Sequence, residues 1–156
     1  MKDVKKKYET LRKKYQLPTF DNLIREFQVK LDNPDLVLYD IIQKICDDIC
    51  DSVQTLESIL FAGSSVDPST LYEANMLKDK RNKIFELFKE LMSIRWKGER
   101  VKINGKENEM AEFVKTVHKR WTNELKKSFM EICELLEKKW KNVELRKSPT
   151  DLMYHG

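Results

Sequence analysis

Glycine and proline are scarce in this chain, four of each among 156 residues, and their scarcity removes the usual punctuation of loops and tight turns. With Lys, Glu and Leu abundant, intrinsic propensity favours helix almost throughout. Cysteine is also sparse and odd in number: Cys46, Cys50 and Cys133 cannot form a closed disulfide framework and include no CxxC pair, so reduced thiols and a cytoplasmic home are expected. No window approaches the roughly 18 uncharged apolar residues that a membrane span needs. The start, Met1-Lys2-Asp3, is not followed by an apolar run, and no secretory signal is visible. No stretch carries a catalytic, nucleotide-binding or cofactor-binding motif, and no cofactor is expected.

What is present is periodic. Val4, Tyr8, Leu11 and Tyr15 draw one apolar stripe on a first helix over residues 3–15. Leu17-Pro18 stops it, because a residue before proline is pushed out of the α region. Thr19 then caps a short helix with Phe20, Leu23, Ile24 and Phe27 on its inner face. Asn33-Pro34-Asp35 reads as an N-cap, a proline at the first helical position and an acid in the first turn. A central helix is predicted from there to about Phe61, its broad stripe running from Leu38 and Ile42 through Ile59. Asp67-Pro68 repeats the cap signal. Residues 69–96 read as one bent helix or two, with Ile84, Phe85, Leu87, Phe88, Leu91, Met92 and Ile94 helically spaced. Residues 97–107 read as a polar loop. A last long helix is predicted from about Glu107 to Val143, on Met110, Val114, Val117, Trp121, Leu125, Ile132 and Leu136.

Amphipathic helices with short connections bury their stripes against one another. The predicted fold is therefore all-α: an irregular helical bundle of five to six helices over residues 1–145, followed by a flexible tail over 146–156. Charge is unevenly spread. Residues 1–15 hold seven basic and two acidic side chains, residues 16–78 four basic and eleven acidic, and residues 79–156 nineteen basic and thirteen acidic. The layout predicts an acid-faced central helix flanked by basic first and last helices, holding the bundle together by their attraction or leaving separate patches.

Three functional readings stay open. The first is a protein-interaction or scaffold domain, self-associating or binding another protein, since the stripes of the two long helices exceed what a few short helices can cover. The second is nucleic-acid association through the basic faces, with Lys6 and Lys13 on the first helix and Lys115, Lys119 and Lys126 on the last as candidate contacts. Against it, glutamates are interspersed and no finger or helix-turn-helix pattern is present. The third is metal-dependent catalysis at a polar cluster. Asp40, Asp47 and Asp51 share one face of the central helix, with Arg81, Arg95 and His118 as candidate partners. The bland alternatives are a solvated face, structural salt bridges and a half-buried histidine. No metal set is predicted, because no Glu-x-x-His pair is present, and no membrane binding is expected.

Tyr15-Gln16-Leu17-Pro18-Thr19-Phe20-Asp21-Asn22-Leu23, Glu26-Phe27 and Leu71-Tyr72-Glu73 resemble a small group of archaeal all-helical proteins of unknown function. The resemblance implies the helical fold and a cytosolic home, and it implies no activity and no functional residue.

Overall fold

The computed structural model describes residues 2–64 and 67–144. Helix α1 (Lys2–Tyr15) ends where Gln16 takes a left-handed φ of 56°. The Leu17 N–H then reaches back to the Arg12 carbonyl at 3.1 Å, which closes the helix end in a Schellman-type bond. Leu17 is buried, and the buried Tyr8 hydroxyl donates to the Pro18 carbonyl at 2.6 Å. The Leu-Pro break thus ties α1 to the next helix. Thr19 caps α2 (Phe20–Phe27), accepting from the Asn22 N–H.

The Asn33-Pro34-Asp35 signal forms a turn and not a helix start. The Asn33 side chain accepts from the Asp35 N–H at 2.9 Å, and α3 (Val37–Leu60) begins later, with Leu36 at its N-cap and no side-chain cap. An asparagine satisfies a turn as readily as a helix terminus. A 3₁₀ turn, Ala62–Ser64, follows α3. At the second signal the expectation holds: Asp67 caps α4 (Pro68–Met76), with Pro68 in its first turn.

Residues 69–96 divide at Leu77. This residue is 1% exposed, and a 3₁₀ turn over Lys78–Lys80 leads into α5 (Arg81–Asn104). The predicted loop over 97–107 is a correction, for α5 continues through it. Val101 and Gly98 lie buried on its inner face, and Gly105, at φ 68°, donates its N–H to the Val101 carbonyl. Asn104-Gly105 is therefore a left-handed helix cap, the same dipeptide chemistry that a hairpin turn uses. After Gly105 and Lys106 the chain enters α6 (Glu107–Arg120). A π-helical turn, Trp121–Leu125, joins it without a break to α7 (Lys126–Lys141). The Thr122 hydroxyl donates to the His118 and Lys119 carbonyls, competing with the helical ladder where it widens.

The result is an all-α bundle of six rods, counting α6 and α7 as one, with no strand among the described residues. α3 is the central helix, touched by α1, α2, α4, α5 and α6, and α5 packs along it most extensively. One continuous core runs from Val4 to Ile132. Of the two outcomes expected from the charge layout, attraction between the central helix and the basic helices is the one the ion pairs do not bear out. The ion pairs between helices are Lys14–Glu107, Lys126–Glu26, Lys83–Glu131 and Arg120–Glu90. Among the described residues no aspartate of α3 joins a basic helix; the only α3 ion pair is internal, Lys44–Asp48. The tail expected over 146–156 lies outside the described residues.

Candidate functional site

Helix α5 is apolar on two sides. At about 100° per residue, Ile84, Leu87, Leu91, Ile94, Gly98 and Val101 fall on one arc, and all are buried. At Gly98 the packing is closest: a Cβ there would stand 2.3 Å from Cys46 Sγ and 3.0 Å from Phe113 Cζ. Only a glycine lets α3 and α6 approach this far. Phe85, Phe88, Met92, Trp96 and Ile103 fall on a second arc, roughly 130° further round. Of these, Phe85, Trp96 and Ile103 face outward, at 40%, 61% and 85% exposure, while Phe88 and Met92 are half-buried and pack against the core.

α3 extends the outer face at both ends. Phe61, 47% exposed, lies edge-on to Phe88 at 6.0 Å, and Phe85 stacks on Phe88 at 6.2 Å. At the other end Tyr39 is 41% exposed, with Lys102 Nζ 5.7 Å from its ring. A large side chain presents roughly 150–250 Å², so these exposures sum to on the order of 500 Å² of apolar surface. The largest such patch on an ordinary monomer is about 300–600 Å², and it is often functional.

Both borders of this stripe carry charges of both signs. On the α3 side Arg95 is stacked 5.5 Å over the Trp96 ring, and Asp40, Asp47, Asp51 and Glu57 lie on α3 itself. On the opposite side of α5 Lys89, Lys97 and Arg100 are interspersed with Glu86 and Glu90, Lys89 pairing with Glu86. Lys102, whose side chain is 6% exposed, donates to Gln43 Oε1 at 2.6 Å and Glu99 Oε1 at 2.8 Å. It clamps α5 to α3 under the stripe.

The polar cluster predicted from sequence does not converge. Asp40, Asp47 and Asp51 share the outer strip of α3, but their neighbours are local: Gln43 donates to Asp47 at 2.8 Å, and Asp40, raised mainly by burial, feels Asp32. Arg81 is exposed and lines a hollow of about 550 Å³ with Ile59, Phe61, Leu71 and Ala74. Arg95 lies over Trp96. Arg120 pairs with Glu90. His118, on α6, lies edge-on to Phe27 of α2 at 6.5 Å. No group of three or more His, Cys, Asp and Glu side chains among the described residues is placed to hold a metal ion.

His118 precedes the π turn and Trp121 opens it, and His118 Nε2 and Trp121 Nε1 are buried without a hydrogen-bond partner. Burial holds the His118 pKa below its ordinary 6.5, against the opposing pull of Glu26. Glu26, 7% exposed, accepts from Lys126 at 2.8 Å, an ion pair that lowers its pKa. Lys126 is thus a structural partner of α2 and not a free basic contact. Lys6, Lys13 and Lys119 are exposed and Lys115 half-buried, and none carries an ion pair among the described residues. All three cysteines are free; burial pushes the Cys46 thiol up to about 11, which leaves it protonated and inert.

Sequence reasoning misses the outer stripe because it merges Phe85, Phe88 and Met92 with the inner face and assigns Ile103 to a loop. The signal is present: the spacing 85, 88, 92, 96 and 103 holds one helical phase over 19 residues. No family model, no curated protein and no solved structure matches the chain.

Proposed function

We propose that this chain is a protein-interaction domain whose working surface is the outer face of α5 with the adjoining edge of α3. One observation carries the reading: a helix already saturated on its inner side presents Phe85, Trp96 and Ile103 in phase on its outer side, with the half-buried Phe88 and Met92 between them. Aromatic and methionine side chains on a patch bordered by charge have the composition of an interface core and its rim. Water-exposed apolar groups add nothing to folding, so their regular spacing needs another use. The free cysteines support a reducing, cytoplasmic setting, and the resemblance of residues 15–27 and 71–73 to archaeal helical proteins supports an archaeal origin for this architecture.

The test is site-specific photo-cross-linking in cells, with p-benzoylphenylalanine at position 96 and, as a control, at position 13 on the outer face of α1. A defined adduct from position 96, absent from position 13 and lost when Ile103→Glu is added, is the expected result. No adduct from 96, or the same adducts from both positions, contradicts the proposal.

A second reading has a specific observation behind it. Lys6, Lys13, Lys115 and Lys119 are unpaired among the described residues, as cations awaiting phosphates would be. Reversing Lys6, Lys13 and Lys119 to Glu would then abolish the salt-dependent binding of single-stranded RNA measured by fluorescence anisotropy. Absence of binding by the unaltered chain at low salt ends this reading.

A further inference from the structure

We infer that α4 is a latched lid: it opens away from the end of α3 while the rest of the bundle stays folded, and the last turn of α7 holds it shut. The inference is independent of the interaction reading above. It begins with burial. Among the described residues α4 is the one α-helix that contributes no buried side chain. Even the shorter α2 buries Leu23 and Phe27. Leu71 and Ala74 of α4 are half-buried, and they roof the hollow whose other walls are Ile59, Leu60 and Arg81. An element with few buried apolar contacts and open space beneath it separates at a fraction of the cost of global unfolding, and lids are drawn from such elements.

The floor and the roof of this hollow are unlike. The floor is core: Ile59 and Leu60 at the end of α3 and Ile84 at the start of α5 are buried. Leu77, also buried, follows α4 and forms its pivot. The grip on α4 from outside comes from the end of α7. Lys139 Nζ donates to the Met76 carbonyl at 2.5 Å, at the carbonyl end of α4 where the helix dipole favours a cation. Trp140 Nε1 donates to Glu73 Oε1 at 3.1 Å, and its ring lies 5.9 Å from that of Tyr72. Two adjacent residues of α7 thus hold one face of α4. Trp140 is itself exposed, so water can replace its hydrogen bond, and such an exchange costs little. Opening uncovers Ile59 and Leu60 next to the already exposed Phe61. Closing depends on polar and stacking contacts that a change at the end of α7 can release.

The experiment is amide hydrogen exchange of the full chain, resolved by peptide, beside the same chain carrying Lys139→Ala and Trp140→Ala. In the unaltered chain the amides of α4 are expected to exchange roughly a hundredfold faster than those of α3 and α5, since local opening precedes global unfolding. In the variant α4 gains about another tenfold, the loss of contacts worth little individually, while α3 and α5 change by less than about twofold. A thiol probe reads the floor. Leu60→Cys, in a chain with Cys50→Ser and Cys133→Ser, reacts slowly with an aromatic disulfide reagent, and about tenfold faster once Lys139→Ala and Trp140→Ala are added. Exchange of α4 no faster than that of α3 means that it opens only with the whole fold, and this overturns the lid without reference to any variant. Acceleration of all helices alike by the double substitution overturns the latch, as does labelling at position 60 that is indifferent to it.

Discussion

The two faces of α5 have similar apolar content and opposite surroundings. The inner face places Ile84, Leu91 and Gly98 against α3 and α6, and each is buried. The outer face places Trp96 and Ile103 in water at 61% and 85% exposure. Helix propensity and hydropathy do not separate them; packing partners do. The difference teaches that an apolar stripe on a helix predicts contact without saying with what. Where the chain's own elements run out, the stripe marks an interface with something else.

This contrast can be broken most forcefully from the inside. Leu91→Ala removes a fully buried side chain and leaves a cavity, and a loss of about 2–5 kcal/mol is expected in chemical denaturation. Next comes Gly98→Val, which forces a side chain against Cys46 and Phe113. It is expected to cost about 1–3 kcal/mol by overpacking, read as a lowered Tm. Shortening Cys46 to Ala should recover part of that loss, since its Sγ is the nearest obstacle.

Acid response sharpens the same comparison, because an ionisable group held neutral by burial lies on the core side and not on the outer stripe. His118 has a folded pKa depressed below its ordinary 6.5. The unfolded chain therefore binds a proton that the native chain resists, and stability is complete above about pH 6.5 and lost as pH falls through the folded value. Urea denaturation at pH 7.5 and 5.5 should show the unaltered chain weaker at the lower pH. His118→Leu should flatten that slope, whereas a slope unchanged by His118→Leu would assign the effect elsewhere. The smallest expected effect comes from the outer face: Ile103→Glu should leave stability of the isolated chain within about 0.5 kcal/mol. A loss as large as that from Leu91→Ala would mean that Ile103 belongs to the fold.

Much of the architecture was legible in the residues. Thr19 and Asp67 cap helices as their chemistry predicts, and the spacing of Leu38, Ile42, Ile45, Ile49 and Ile59 identified the central helix. Failures came where one dipeptide serves two geometries. Asn104-Gly105 suits a hairpin turn or a helix cap, and Asn33-Pro34 suits a helix start or a free turn; at Asn104-Gly105 the choice follows from Val101, one turn earlier, which is buried on the inner face of α5. The division at Leu77 and the π turn at Trp121–Leu125 carry no composition mark, since both depend on neighbours distant in sequence. The polar cluster was the least legible. Periodicity aligned Asp40, Asp47 and Asp51 correctly on one helix, but it gives no azimuth between helices, and the arginines and His118 proved to face other partners.

The most direct measurement is sedimentation equilibrium of the unaltered chain beside Trp96→Glu. Trp96 is 61% exposed and contributes little to the core, so the substitution leaves the fold intact and removes only the centre of the outer stripe. Self-association through this face predicts a concentration-dependent dimer for the unaltered chain and, for the variant, a monomer that keeps the helical fold but lacks the stability that dimerisation adds. Identical masses for the two at every concentration would contradict it.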